Sequence, residues 1–306
     1  MSNVAEEEVA VKKNKALRVI TGIVIGAIAL GAIALGSIPL FIMLGVIVIL
    51  CSKEFTKILN NKGFYPSLTV ILGASIVFMT LIFFRRFDLV SSMLTLTIMA
   101  SFLSVLFKGR QPYIVNVATT ILGALYCAWL PCHLLLIRQI GMTRVNAFQI
   151  TVSDGLGLLI FVFLAVAATD IGAYYFGVKF GKHKLAEVIS PKKTIEGAIG
   201  GGLFAIAISA LGIFYTDLSL CQAIIGGLIT TLSAQLGDLS ESLIKRDAGV
   251  KDSSNILPGH GGMLDRFDGY IFAIPVAYYY FTYFCLGRNI FTEFLNYLKG
   301  AINAYF

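Results

Sequence analysis

"ESLIKRDAGVKDSSNILPGHGGMLDRFDGY", residues 241–270, sets charges, glycines and a histidine between two long apolar runs. In a soluble domain such a stretch would be an ordinary surface loop. Its flanks decide otherwise, because the runs at 219–242 and 264–287 each have the roughly 20 apolar residues that cross a bilayer as a helix. Composition agrees: 57% of the 306 residues are hydrophobic and 13% charged, against about 45–50% and about 25% in soluble domains. The chain therefore reads as an all-α integral membrane protein, a polytopic helical bundle, with this polar stretch gathered at one end of two of its helices.

Working outward, apolar runs of spanning length fall near 17–34, 37–52, 66–84, 89–107, 113–137, 154–176 and 195–216, which with the two flanking runs predicts about nine transmembrane helices. The first two are parted only by a weak break at 36–39. "MSNVAEEEVAVKKNKALR" ahead of them is polar and mixed in charge, unlike a cleaved signal, so the first helix is read as retained. The C-terminal "RNIFTEFLNYLKGAINAYF" is short and amphipathic and is expected to lie at the membrane interface. Cys51, Cys127, Cys132, Cys221 and Cys285 are scattered through apolar runs without a CxxC, which reads as small buried hydrophobes rather than a zinc, haem or disulfide framework.

Lysines and arginines set the orientation. With the N-terminus inside, the inner loops hold Lys53, Lys57, Lys62, Lys108, Arg110, the five lysines from 179 to 193, Lys245, Arg246 and Lys251. The outer ones hold only Arg85, Arg86, Arg138, Arg144, Arg288 and Lys299. Basic loops resist translocation, so the N-terminus and the polar stretches are expected in the cytoplasm and the C-terminus on the opposite side. The first five spans carry almost no ionisable residue at depth, and no internal repeat is evident. Residues 1–150 thus read as a structural set of helices and 151–306 as the half of one continuous bundle that carries the chemistry.

Asp238, Glu241, Ser242 and Lys245 fall within about a 100° arc at the end of the eighth span. Glu241 and Lys245 are equally well read as solvated charges at a helix end, whereas Asp238 lies near the membrane boundary, where an unpaired carboxylate is costly and usually functional. Asp265 and Asp268 sit three apart at the start of the ninth span and project from one side of it. Together with Asp238 they form an oxygen-ligand set suited to Mg²⁺, which takes a few carboxylates, several waters and substrate phosphate. Between the clusters Pro258, Gly259, Gly261 and Gly262 allow a tight loop whose backbone N–H groups can approach an anion. His260 there reads either as a phosphate contact or as a loop hydrogen bond. Upstream, Asp170 and Tyr174 share a helix face, and "SPKKTIEG" offers Lys193, Thr194 and Glu196 at a helix start as a phosphate cradle. No P-loop and no G-x-S-x-G elbow is present. The residues alone reach metal-assisted transfer between a polyphosphate and a membrane-embedded acceptor.

"SLIKRDAGVKDSSNILPGHGGMLDRFD", residues 242–268, resembles the signature of the phosphatidate cytidylyltransferase (CDP-diacylglycerol synthase) family and meets its fixed positions. "TDIGAYYFGVKFGKHKL" and "ISPKKTIEG" are similar to two further family stretches, so the likeness covers the last 140 residues or so. Ile171 departs from a small hydroxyl residue, and Val178 stands where the family often has arginine. The resemblance implies transfer of CMP from CTP to phosphatidic acid, giving CDP-diacylglycerol and pyrophosphate with Mg²⁺, a second metal or monovalent cation being left open. It implies Asp238, Asp265 and Asp268 as metal ligands and Lys245, Arg246, Lys251, His260 and Arg266 as phosphate contacts beside Gly261 and Gly262. Ser242 and Asp252 would support the site, Lys193, Thr194 and Glu196 would bind nucleotide or lipid headgroup, and the protein would be a homodimer with no nucleic-acid partner. A CTP-dependent polyprenol or lipid kinase would keep the nucleotide site but release CDP. A membrane transporter would spread polar residues over both halves, which this sequence does not.

Overall fold

The computed structural model describes residues 22, 24–141, 154–257 and 261–286. The expectations for the N-terminal polar segment, for His260 and for the C-terminal amphipathic stretch lie outside these residues. Helix α1 (Val24–Leu35) is followed after the single residue Gly36 by α2 (Ser37–Asn61). Then come α3 (Leu68–Phe83), α4 (Val90–Lys108) and α5 (Tyr113–Ala124), which runs through a π-turn at Leu125–Trp129 into α6 (Leu130–Arg138). The second half holds α7 (Asp154–Phe180), strands β1 (Lys184–Ala186) and β2 (Ser190–Thr194), α8 (Ile195–Ala210), α9 (Leu220–Asp247) and α10 (Leu264–Tyr280). Six of the described helical stretches are long and apolar enough to cross a membrane, and α1 and α3 are shorter apolar helices. The all-α polytopic bundle expected from hydropathy is what forms, because a backbone in hydrocarbon must satisfy its own polar groups and a helix does so within one segment.

Two departures from the expected spans bear on function. α2 does not stop at 52 but runs nine residues further to Asn61. The lysines at 53 and 57 interrupt the hydropathy, yet Cys51, Phe55, Ile58 and Leu59 keep the three-and-four spacing of a buried face, so the helix continues. The lysine-rich loop before α8 folds into an antiparallel two-stranded ribbon, with Lys184 opposite Thr194 and Ala186 opposite Ser190.

Loops that the charge bias assigns to one side share one end of the bundle. Lys62 after α2 pairs with Asp247 at the end of α9, Asn116 of α5 accepts from the backbone N–H of Tyr65 at 2.7 Å, and Arg246 donates to the carbonyl of Ile189 in the ribbon at 3.1 Å. At the other end the side chain of Gln139 donates to the carbonyl of Ile82 at 3.0 Å. One apolar core, from Ile33 and Leu40 through Phe55, Phe78 and Phe161 to Ile271 and Phe281, passes through both halves of the chain.

Caps fix where the site helices begin. Thr194 Oγ1 accepts from the Gly197 N–H at 3.1 Å and starts α8. Ser219 and Gln222 form a reciprocal capping box at α9, which holds two N–H groups that the helix itself cannot satisfy. α9 and α10 approach closely at Gly237: a Cβ there would stand 2.7 Å from the carbonyl oxygen of Asp268, so the two helices touch as they do only because this residue has no side chain. Gly237→Ala is expected to force the two helices apart at a cost of about 1–3 kcal/mol. Thermal denaturation in detergent should show the loss, and an unchanged melting temperature would contradict the packing.

Candidate active site

Between α7, α8, α9 and the ribbon lies a cavity of about 360 Å³. Asp170 of α7, Lys192, Lys193 and Thr194 of β2, Gln235 and Asp238 of α9, and Tyr174 and Val178 toward the end of α7 line it. Lys193 Nζ forms an ion pair with Asp238. Asp268 lies within electrostatic reach of Asp238, Glu241 and Asp170, while Lys193 and Arg266 supply the positive field acting on Asp170. Four acids and two cations from α7, β2, α9 and α10 therefore lie near one another, although residues 170 and 268 are almost 100 positions apart. The Gly237 contact is what sets Asp238 beside Asp268. Ser242 is one turn on, with its hydroxyl 3.5 Å from Asp238 Oδ1.

A second network adjoins this cluster and has a different character. Lys245 is buried, and its ammonium pairs with Glu241 at 2.5 Å and Asp265 at 2.6 Å. Asp265 also accepts from the Ser253 N–H at 3.0 Å, the Ser253 hydroxyl at 2.8 Å and the Gly262 N–H at 2.8 Å. Both of its oxygens are thus engaged by the chain itself. The structure brings Asp238 and Asp268 together and seats Asp265 in the loop. Among the described residues no three His, Cys, Asp or Glu side chains form a group that could hold a metal ion.

The loop glycines also work differently from the anion cradle expected of them. The Gly262 N–H donates to Asp265, and those of Met263 and Leu264 donate to Glu54 at 3.0 and 2.7 Å. The donors at the start of α10 are therefore taken up by internal carboxylates, which correct the expectation that they face a substrate anion. A Cβ on Gly262 would overlap the Ser253 hydroxyl and come within 2.6 Å of Glu54 Oε2, so glycine is required there to admit Glu54.

The remaining expected residues divide between scaffold and surface. Thr194 caps α8 and lines the cavity. Glu196 accepts from the N–H of Lys182 at 3.0 Å and from His183 Nδ1 at 2.5 Å, which anchors the ribbon. Arg246 bridges the carbonyls of Ile189 and Val250. Lys251, Asp252 and Arg266 are exposed at the same end of the bundle, and Gly261 pairs with Leu257 in a small bridge.

Two residues absent from the expected site belong to it. Asp170 shares a helix face with Tyr174 in the sequence reading but takes no role there, and it lines the cavity. Glu54 lay beyond the expected end of its helix; the signal for it was the buried stripe that continues past 52. Of the cations paired in these networks the Lys245 ammonium is the most enclosed, since it neutralises two enclosed acids. Lys245→Ala leaves Glu241 without its cation and Asp265 with only its loop donors, and is expected to cost about 3–5 kcal/mol, read by thermal denaturation in detergent. A loss below about 1 kcal/mol, the range of an exposed pair, would return Lys245 to the surface.

The sequence matches the cytidylyltransferase family over residues 16–284. A phosphatidate cytidylyltransferase of Synechocystis sp. (strain ATCC 27184 / PCC 6803 / Kazusa) is 33% identical over 265 residues, covering 78% of this chain and 86% of that protein. One from Staphylococcus haemolyticus (strain JCSC1435) is 50% identical over 131 residues, 42% of this chain and 50% of that protein. One from Staphylococcus aureus (strain COL) gives the same identity and shares. The chain spans about half the length of these staphylococcal relatives.

Proposed function

This chain belongs to the cytidylyltransferase family, and on that premise we propose that it is a phosphatidate cytidylyltransferase of phospholipid biosynthesis. It transfers CMP from CTP to phosphatidic acid. A phosphate oxygen of phosphatidate attacks the α-phosphorus of CTP, the bond from that phosphorus to the bridging oxygen breaks, and pyrophosphate leaves with its electron pair. A phosphate monoester is already an anionic nucleophile, so the step needs position and charge neutralisation rather than a general base. The observation that carries this reading is the cavity itself, where Lys192 and Lys193 face Asp170 and Asp238 in a chain that is similar to phosphatidate cytidylyltransferases.

In this reading Lys193 exchanges its pairing with Asp238 for the phosphates of CTP. Lys192 and Arg266 add positive charge to the same end, and an exposed Lys251 meets the substrate from the loop. Tyr174 and Val178, exposed toward the end of α7, give the cavity an apolar edge beside the lipid. Asp238 and Asp268 would hold Mg²⁺ as a pair, because this cation is satisfied by one or two carboxylates when water and phosphate oxygens complete its shell. When bound it would neutralise the charge that develops on the phosphates. Asp265 is assigned to the scaffold on account of its four internal donors.

Two further parts of the proposal rest on other grounds. The end of the bundle that gathers Lys62, Lys108, Lys193 and Arg246 faces the cytoplasm, since basic loops resist translocation. The homodimer rests on the family resemblance.

Incubating purified protein with Mg²⁺, phosphatidate and CTP labelled in either the α- or the γ-phosphate tests the reaction. Label from the α-position should enter the lipid and γ-label should leave as pyrophosphate. Transfer of γ-label with release of CDP would instead make the chain a lipid kinase. Asp268→Asn should lower turnover at least about 100-fold, the scale of losing one electrostatic group from a transition state, with an unchanged melting temperature. Asp265→Asn should lower the melting temperature as well. Equal stability losses in the two variants would refute the division of the acids into catalytic and scaffold groups.

A further inference from the structure

Glu54 is 1% exposed and sits in α2, in the half of the chain that hydropathy marks as structural. A carboxylate at such a place is expensive unless donors surround it. Its two oxygens are matched one for one. Oε1 accepts from the Ser254 hydroxyl at 2.5 Å and the Met263 N–H at 3.0 Å; Oε2 accepts from the Ser253 hydroxyl at 3.0 Å and the Leu264 N–H at 2.7 Å. All four donors belong to the 253–264 segment, and among the described residues no cation forms an ion pair with Glu54. The carboxylate therefore fastens both ends of one loop at a single point. It also shares the Ser253 hydroxyl with Asp265, whose Oδ2 lies 2.8 Å from it, so the loop is gripped from α2 and α10 at once.

We infer that Glu54 is a positioning residue for CMP transfer: it fixes the first turn of α10 so that Asp268 meets Asp238 and Arg266 reaches the cavity. The argument is one of register. Met263 and Leu264 open α10, Arg266 and Asp268 follow within its first turn and a half, and the next close contact that bears on Asp268 is the bare backbone approach at Gly237. Freed from Glu54, the start of α10 keeps its helix and the Asp265 contacts but loses the anchor that ties its first turn to α2. Lys251 and Asp252 immediately precede Ser253 and move with it. The N-terminal half thus takes part in the reaction through one buried acid, without touching substrate.

This inference rests on the proposed cytidylyltransferase activity, so the test separates the two. The full-length wild type and Glu54→Gln, Glu54→Asp and Ser254→Ala variants are assayed for CMP transfer per mole of folded protein, with kcat and KM for CTP measured separately and thermal denaturation in parallel. A glutamine accepts through one oxygen only and turns its NH₂ toward a backbone N–H that cannot rotate away. Glu54→Gln is therefore expected to lower kcat about 10- to 100-fold while KM for CTP shifts less than about threefold, the pattern of a group that acts on geometry at the transition state. Glu54→Asp, which keeps two acceptors on a shorter stem, should recover part of that kcat. Ser254→Ala, which removes one donor and leaves the charge, should lower kcat by a few-fold and serves as the deciding variant if Glu54→Gln fails to fold. Wild-type kcat per folded molecule in Glu54→Gln, or in Ser254→Ala if it decides, overturns the inference while leaving the activity intact. A wild type without CMP transfer overturns the activity on which it rests.

Discussion

Buried negative charge is the constraint on which the rest depends. Glu54, Glu241 and Asp265 lie at the edge of a hydrocarbon-facing bundle, where an ionised acid is tolerated only with cations or hydrogen-bond donors around it. The chain supplies them from one short segment: the Lys245 ammonium for Glu241 and Asp265, and serine hydroxyls and backbone N–H groups of residues 253–264 for Glu54 and Asp265. Satisfying these acids dictates how the loop runs, and the loop dictates where α10 begins.

From that follows the separation between acids that build and acids that face the cavity. Asp265 and Asp268 are three residues apart, yet the first has both oxygens engaged by the chain and the second lies beside Asp238 and Asp170. Helical spacing puts two side chains on one side of a helix, but one turn of rise is enough to place them in different surroundings. The cations divide in the same way, Lys245 being enclosed between acids while Lys193 lines the open cavity.

Much of this was legible in the sequence. Hydropathy located the helices, because the requirement to satisfy backbone groups in lipid leaves few alternatives, and the polar residues marked which half holds the cavity. What could not be read was the partner of each charge. The donors around Glu54 come from some 200 residues away, and no local pattern encodes that pairing. The same holds for Gly262, whose spacing reads as opening the loop to an anion and which instead admits an internal carboxylate. Glu196 looked like part of a phosphate cradle and turns out to anchor a ribbon whose formation the lysine-rich loop gave little reason to expect.

The account's central claim is that CTP's phosphates enter the cavity between α7, α8 and α9 and take Lys193 from Asp238. Lysine footprinting tests it most directly: the protein is treated with an amine-acylating reagent with and without CTP, and modified peptides are quantified by mass spectrometry. The account predicts that CTP slows modification of Lys192 and Lys193 while Lys108, at the same end of the bundle but outside the cavity, reacts unchanged. Equal protection of all three, or protection of Lys108 alone, would contradict it.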